Sequence, residues 1–173
     1  KRDLRFDLNQ YETLKRKILI IKPDFIFHLA AQSLVKKSYK NPRDTFETNC
    51  IGTMNILDIS MKLKKLKSLI IITSDKCYKN MERKSGYSEN DELGGADPYS
   101  ASKAAAENIF NSYLNLANSK SVSFGLASAR AGNVIGGGDW SDDRIIPDFI
   151  KSLQKKKPFT IRSQNAVRPW QHV

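Results

Sequence analysis

The chain has 173 residues, enough for one domain with a sizeable core, and 40% of them are hydrophobic, which excludes a chain that is disordered by composition. No apolar run approaches the ~18 residues of a membrane span, so we expect no membrane partner. The net charge of +11 comes from dispersed lysines without the stacking aromatics of an RNA-binding sheet, so we expect no nucleic-acid partner.

Helical and strand patterns alternate along the chain. Helices are predicted over residues 11–21, 42–66, 98–118 and 145–153, and strands over residues 25–29, 68–73, 122–129 and 159–161. This alternation predicts an α/β fold in which parallel βαβ units build a doubly wound sheet. The strand over 68–73 is almost wholly apolar, which indicates burial on both faces. The alternation weakens near Gly136, where we expect a boundary between domains 1–135 and 136–173.

A long polar loop over residues 77–97 precedes the third helix, and loops of this length are usually functional or disordered. Asp97 can cap that helix and Pro98 suits its first position. Tyr99 and Lys103 lie four residues apart, on one helix face. A nearby cation lowers the pKa of a tyrosine, so Tyr99 is a credible base, although lysine-rich helices also carry this spacing by chance.

Ser74, Asp75 and Lys76 directly follow the predicted strand over residues 68–73. Open α/β sheets bind their ligands outside the carboxyl ends of the strands. A hydroxyl, an acid and an amine at this place therefore suggest a reactive site beside Tyr99. The alternative is a polar turn that only caps the strand.

Cys50 and Cys77 are the two cysteines, and their spacing is not that of a metal site. We therefore predict no metal and a reduced, cytoplasmic setting. The chain begins at Lys1 with charged and polar residues, without methionine or a signal peptide, and stops at Val173 without a terminal element. We therefore expect an internal piece of a longer protein.

Several segments together resemble the extended short-chain dehydrogenase/reductase family. They are HLAAQ at 28–32, ETNCIGT at 47–53, TSDKCY at 73–78, PYSASK at 98–103 and SARAGNVIGGGDW at 128–140. With RPWQHV at 168–173, the set is similar to the nucleotide-sugar 4,6-dehydratases of this family, and among them to those that act on CDP-glucose. The resemblance covers nearly the whole chain and implies a Rossmann-like fold, NAD as cofactor and a nucleotide-sugar substrate.

The resemblance also implies a role for each residue of the two motifs. Tyr99 would take the proton of the C4 hydroxyl while NAD⁺ accepts the C4 hydride, and Lys103 would assist Tyr99 and hold the nicotinamide ribose. Ser74 would donate a hydrogen bond to the C4 oxygen, and Asp75 would protonate the departing C6 hydroxyl. Lys76 would remove the C5 proton, after which the hydride returns to C6.

The resemblance also implies residues that would bind the cofactor or the substrate, most of them without taking part in the reaction. Ala30 and Ala31 are small enough for a close approach of the cofactor, although ordinary packing is the alternative. Arg144 suits a diphosphate, although a surface ion pair with Asp142 or Asp143 explains it equally well. The implied cofactor residues are Asp7, Leu8, Ala30, Ala31, Gln32, Tyr99 and Lys103, and the implied substrate residues are Ser74, Asn133, Arg144 and Arg168.

The Gly-rich fingerprint that opens a dinucleotide-binding fold is not in the chain, since Gly136–Gly138 come late and with the wrong spacing. We expect the first strands and the fingerprint to precede Lys1, and the remaining C-terminal substrate region to follow Val173. Family members commonly dimerise through helices such as those over 42–66 and 98–118, so a homodimer is expected.

Other functions remain open at this point. A 4,6-dehydratase for another nucleotide sugar and an epimerase share most of these motifs. A non-catalytic NAD(H)-binding regulator and a basic RNA-binding remnant of the fold are the alternatives from other classes. The complete set of Ser74, Asp75, Lys76, Tyr99 and Lys103 argues against lost catalysis.

Overall fold

The computed structural model describes residues 3–161 and 163–173. Two short turns of other helix types interrupt the regular pattern, a π-helical segment at Glu47–Ile51 and a 3₁₀ turn at Asp75–Cys77. The α-helices are α1 (Tyr11–Ile21), α2 (Val35–Lys40), α3 (Pro42–Phe46), α4 (Gly52–Ser60), α5 (Pro98–Ser119) and α6 (Ile145–Gln154). The strands are β1 (Phe25–His28), β2 (Ser68–Ile72), β3 (Gly125–Ala129), β4 (Asn133–Ile135) and β5 (Trp170–His172).

Strands β1, β2 and β3 form one parallel sheet in that order, with Phe27 opposite Ile70 and Ile70 opposite Ala127. Parallel neighbours need long crossover connections, and helices supply them here between each pair of strands. The predicted α/β class with a parallel sheet is therefore confirmed.

The hydrophobic core lies on one face of this sheet. Leu69 and Ile71 of β2 point into it and are fully buried. Leu14 of α1, Leu57 of α4 and Phe110 of α5 belong to the same cluster, so three helices share one core with the sheet. Burying each such side chain contributes about 1.5–3 kcal/mol, which makes this layer the main source of stability.

The opposite face of the sheet is more open within the described residues. Phe25 and Phe27 of β1 are 56% and 61% exposed, and Ile70 and Ile72 of β2 are only half-buried. The burial of β2 on both faces, which its apolar sequence indicated, is therefore found on one face only.

The predicted helix over residues 42–66 is shorter and less regular than expected. It begins at Pro42, passes through the π-helical segment and ends at Ser60. The chain tightens beyond that point, because the Leu63 amide donates to the Ser60 carbonyl at 3.0 Å. This turn brings Leu63 and Leu66 into the core, so the predicted end at Leu66 was wrong.

The chain forms two compact units, Lys1–Arg130 and Ala131–Val173. In the second unit β4 pairs in parallel with β5, and no strand forms over residues 159–161, where one was predicted. Gly132 supports this pairing, because a Cβ there would lie 2.6 Å from Cγ of Pro169. The functional boundary expected between 135 and 136 stays a prediction.

Within the described part of the chain, none of the helices is both long and apolar enough to cross a membrane.

Candidate active site

The start of α5 positions the predicted Tyr99–Lys103 pair. Asp97 caps the helix, with its Oδ1 accepting a hydrogen bond from the Ser100 amide at 3.0 Å. Gly95 allows the preceding loop to lie against this first turn, because a Cβ there would be 2.4 Å from the Ser100 carbonyl carbon. Tyr99 is consequently held in the first turn with 8% of its surface exposed, and Lys103 follows one turn later.

Lys103 is a buried cation with few partners. Only 6% of the residue is exposed, and burial lowers the pKa of its ammonium group, while Cys50 and Glu107 oppose that shift. Among the described residues, Lys103 Nζ has one hydrogen-bond acceptor, the backbone carbonyl of Ile72 at 3.4 Å. An ammonium group has three N–H donors, so Lys103 retains capacity to bind the hydroxyl groups of a ligand.

The 3₁₀ turn after β2 brings Ser74, Asp75 and Lys76 against α5. We refer to these three residues as the Ser-Asp-Lys turn. The Ser74 hydroxyl accepts from the Lys76 amide at 3.2 Å and donates to Asp75 Oδ1 at 3.2 Å. Ser74 is buried, whereas Asp75 and Lys76 are half-buried and can reach a ligand. The turn does cap the strand end, and it also places three reactive groups beside the helix of Tyr99.

A buried amide network connects the segment after β1 to α5. Asn49 Oδ1 accepts a hydrogen bond from the backbone N–H of Gln32 at 2.8 Å. Asn49 Nδ2 donates to the backbone carbonyl of Gln32 at 3.0 Å and to Ser102 Oγ at 2.9 Å. Ser102 in turn donates to the Tyr99 carbonyl at 2.7 Å. The π-helical segment turns Asn49 inward, so an irregular turn serves this network.

Apart from Tyr99 and Lys103 on α5, the residues predicted to touch the cofactor fall into two places. Ala30 is exposed and Ala31 half-buried directly after β1, at the carboxyl end of the sheet. The Gln32 side chain donates to Thr45 Oγ1 at 2.9 Å and accepts from the Leu34 amide at 2.7 Å, so it already has partners inside the protein.

The Asp7–Leu8 pair lies beside α4. Asp7 is exposed and accepts from the Asn9 amide at 2.8 Å, and Leu8 packs so closely on Gly52 that a Cβ there would lie 3.0 Å from Leu8 Cδ1. The Leu8 carbonyl accepts from the side chain of Asn55 at 2.9 Å. Contact of this pair with the cofactor stays a prediction.

The predicted substrate residues beyond Ser74 belong to the second unit. Asn133 begins β4 and is half-buried, and Arg168 is exposed. The Arg144 guanidinium lies 3.3 Å from the Asp139 carboxylate, so Arg144 has an acidic neighbour that the sequence analysis did not name. Their assignment to the substrate stays a prediction. Among the described residues, no cluster of three or more His, Cys, Asp or Glu side chains could hold a metal ion.

His28 is a buried histidine at the end of β1. Its Nε2 lies 3.1 Å from Thr53 Oγ1, and burial, aided by the charge of Lys103, lowers its pKa to about 4. The imidazole is therefore neutral at pH 7 and serves the packing of β1 against α4.

Known proteins are similar to this chain over nearly its whole length. The family model described as GDP-mannose 4,6 dehydratase matches residues 3–173. CDP-glucose 4,6-dehydratase of Salmonella typhimurium is 47% identical over 171 residues, which are 96% of this chain and 48% of that protein.

Two solved structures share the fold. The dTDP-glucose 4,6-dehydratase DesIV double mutant of Streptomyces venezuelae, with NAD and DAU bound, is 24% identical with a TM-score of 0.82 over 99% of this chain and 50% of that chain. UDP-glucose 4-epimerase of Thermus thermophilus, in complex with NAD, is 26% identical with a TM-score of 0.81 over 97% and 55%. The chain spans about half the length of these relatives.

The depressed pKa of His28 predicts a specific pH dependence of stability. Because the unfolded chain binds a proton near pH 6.5 and the folded chain only near pH 4, stability is lost as pH falls between these values. From pH 7 to pH 5 this residue should cost about 2 kcal/mol, measured as the free energy of unfolding in urea. His28→Gln should remove that part of the pH dependence, whereas His172→Gln, at an exposed site, should keep it. Equal pH dependence in both variants would contradict the role of burial.

Proposed function

Because this chain belongs to the GDP-mannose 4,6-dehydratase family, we propose that the whole protein is a nucleotide-sugar 4,6-dehydratase that uses NAD. The observation that carries this proposal is the Ser-Asp-Lys turn packed against the helix of Tyr99 and Lys103. A turn with an acid and an amine beside a tyrosine base is what elimination of water requires in addition to oxidation.

The described residues fit a nicotinamide dinucleotide. Lys103 has N–H donors without an acceptor among the described residues, and a ribose would supply hydroxyl acceptors. The side chains of Ala30 and Ala31 are small, so a ligand can lie close to their backbone at the carboxyl end of the sheet, where such folds bind dinucleotides. When bound, NAD would take the hydride from C4 and return it to C6.

Tyr99 and Lys103 would act on the C4 hydroxyl of the sugar. Tyr99 would accept the proton as the C4 carbonyl forms, and Ser74 would donate a hydrogen bond to the same oxygen. Lys103, one turn away on the same face of α5, would stabilise the negative charge on the phenolate oxygen. Burial of both side chains strengthens this interaction, because the surroundings screen it less than water does.

Asp75 and Lys76 would carry the elimination. The new C4 carbonyl acidifies the C5 proton, which Lys76 would take in its neutral form. Asp75 in its protonated form would give a proton to the C6 hydroxyl, so that water leaves. Both side chains are half-buried on the turn that packs against α5, so a sugar held at Tyr99 would lie within their reach.

We propose CDP-glucose as the substrate. Two observations support this choice, the joint presence of GNVIGGGDW and RPWQHV and the similarity to CDP-glucose 4,6-dehydratase. The structure adds that these two motifs meet, since β4 pairs with β5. An epimerase is the alternative with the same fold, but it has no need of Asp75 and Lys76. The nucleotide would be bound by Asn133, Arg144 and Arg168.

We further propose a homodimer in the cytoplasm. A shallow depression between α4 and α5 is lined by Met54, Ile109 and Tyr113, and Ile51 and Leu116 are exposed apolar side chains of the same two helical regions. Exposed apolar surface of this kind marks association sites. The free, buried thiols of both cysteines are consistent with a reducing compartment.

The substrate proposal predicts the activity of the whole protein. Given NAD⁺, it should convert CDP-glucose to the 4-keto-6-deoxy sugar nucleotide, detected by mass spectrometry as loss of one water, and should turn over the dTDP-, UDP- and GDP-hexoses more slowly. Equal or better turnover of dTDP-glucose would contradict the choice of nucleotide and leave the reaction class intact. C4 inversion without loss of water would instead show an epimerase.

The proposed roles predict that oxidation and elimination can be separated. Asp75→Asn should still oxidise C4 but stall before water loss, so bound NADH should accumulate, with product formation slower by about 10²–10⁴. Tyr99→Phe should produce neither NADH nor product, since no group then takes the C4 proton. Asp24→Asn, an exposed aspartate in an ion pair with Lys67, is the control and should keep the parental rate. Dehydration by Asp75→Asn at that rate would rule out its proposed role.

The dimer proposal predicts the effect of one surface change. Ser112 is exposed and lines the depression between α4 and α5, so Ser112→Arg should convert a dimer into a monomer. Asn90→Arg, in the exposed loop before α5, should leave the dimer intact. Light scattering during size-exclusion chromatography gives the mass of each variant, and a monomeric parental protein would refute this interface.

A further inference from the structure

A buried carboxylate that the sequence analysis did not single out lies directly behind the candidate site. Glu107 is 0% exposed and follows Tyr99 by two turns and Lys103 by one turn of α5. Residues four and eight positions apart share a helix face, so Tyr99, Lys103 and Glu107 form one buried row. Burying a carboxylate is unfavourable unless hydrogen bonds or an opposite charge replace its contacts with water, so the partners of Glu107 indicate what holds it there.

The partners of Glu107 come from the ends of two strands. Thr73 Oγ1 donates to Glu107 Oε1, and Thr73 is the residue immediately before Ser74. Ser128 of β3 donates to Oε2 at 3.3 Å, and Arg130, just beyond β3, donates to the same oxygen at 2.8 Å. One carboxylate thus links α5 to the carboxyl ends of β2 and β3.

Arg130 extends this link to the residues after the Ser-Asp-Lys turn. Its guanidinium lies 4.9 Å from the ring centre of Tyr78, and it donates to the Glu89 carbonyl at 3.0 Å. Tyr78 stacks on Tyr87 with ring centres 5.1 Å apart, and the Arg83 guanidinium lies 4.3 Å from the ring centre of Tyr87. Arg130, Tyr78, Tyr87 and Arg83 are thus linked by successive contacts, which connect the long loop before α5 to Arg130.

We propose that Glu107 and Arg130 are positioning residues that hold the Ser-Asp-Lys turn in register with Tyr99 and Lys103, an inference that rests on the proposed function. The turn is fastened on both sides to one ion pair, through Thr73 before it and Tyr78 after it. Glu107, the acidic member of this ion pair, lies on the helix that carries Tyr99 and Lys103.

The geometry explains why a charged pair serves this task. The Glu107 side chain is 1% exposed and that of Arg130 is 14% exposed, so the carboxylate has no contact with water and the guanidinium has little. Breaking the pair by removing one partner leaves an uncompensated buried charge, and the pair therefore has one favourable arrangement. Small displacements of reacting groups have large kinetic effects, so an anchor of this kind is a property that catalysis requires.

Hydrogen exchange of the backbone tests the anchor without any need for activity. In the whole protein, Glu107→Gln should raise exchange in the segment 73–78 by about tenfold or more, because opening of the turn becomes easier. Tyr78→Leu, a milder change that keeps the ion pair, should do the same for that segment to a smaller extent. Asp58→Asn removes a more exposed ion pair, between Asp58 of α4 and Lys62 just beyond it, together with the hydrogen bond from the Tyr11 hydroxyl of α1, and should leave segment 73–78 unchanged. Unchanged exchange there in Glu107→Gln overturns the proposal, and Tyr78→Leu decides if Glu107→Gln does not fold.

Kinetics then tests whether the anchor acts through the turn. Glu107→Gln should lower kcat by about 10–100-fold and leave KM nearly unchanged, at a temperature where the variant is fully folded. In an Asp75→Asn background the same change should have a clearly smaller effect, because residues that act together are not additive. Asp58→Asn should have the same effect in both backgrounds. Additive effects of Glu107→Gln and Asp75→Asn, or a parental kcat, overturn the positioning role. A parental protein inactive on every nucleotide sugar refutes the proposed function instead, and the exchange result still decides whether the ion pair holds the turn.

Discussion

The row of ionisable side chains buried along one face of α5 is the constraint on which the rest of the site depends. A helix that buries a phenol, an ammonium and a carboxylate must find partners for each of them, or the fold incurs a large desolvation cost. Glu107 meets this requirement with Arg130 and the hydroxyls of Thr73 and Ser128. Lys103 does not meet it, because its ammonium group has one hydrogen-bond acceptor among the described residues, the Ile72 carbonyl at 3.4 Å. The difference separates a group that holds the structure together from one that has capacity for a ligand.

The same constraint determines where the polar groups of the sheet lie. Parallel strands that end at one edge leave their last side chains beside the helix that follows, and the hydroxyls of Thr73 and Ser128 are at that edge. On the other flank of α5, Asn49 holds the backbone of Gln32 and the hydroxyl of Ser102. The helix of the candidate site is therefore held by buried polar contacts on both flanks, whose geometry is more restrictive than apolar packing.

Apolar packing supplies stability on only one face of the sheet in the described residues. The side of β1 and β2 that faces the helical core is buried, whereas Phe25 and Phe27 on the other side are mostly exposed. In this sheet, stability and the alignment of the reacting groups therefore come from different contacts. The core layer supplies free energy of folding, and the buried polar contacts at the strand ends align the reacting groups.

The sequence by itself determined the local elements and the motif residues. The alternation of strands and helices, the Asp97 cap and the start at Pro98 were predictable, because period, cap and proline signals are confined to a few neighbouring residues. The candidate site was predictable for a similar reason, since Tyr99 and Lys103 are one turn apart and the Ser-Asp-Lys turn is contiguous. The tertiary structure decided the rest. It decided that the helix from Pro42 stops at Ser60, that β5 pairs with β4, that Gln32 turns to Thr45, and that Glu107 meets Arg130. Each of these depends on residues that are distant in the chain, and a buried Glu has the same local sequence pattern as an exposed one. Only the three-dimensional packing, which removes water from one helix face, distinguishes the two.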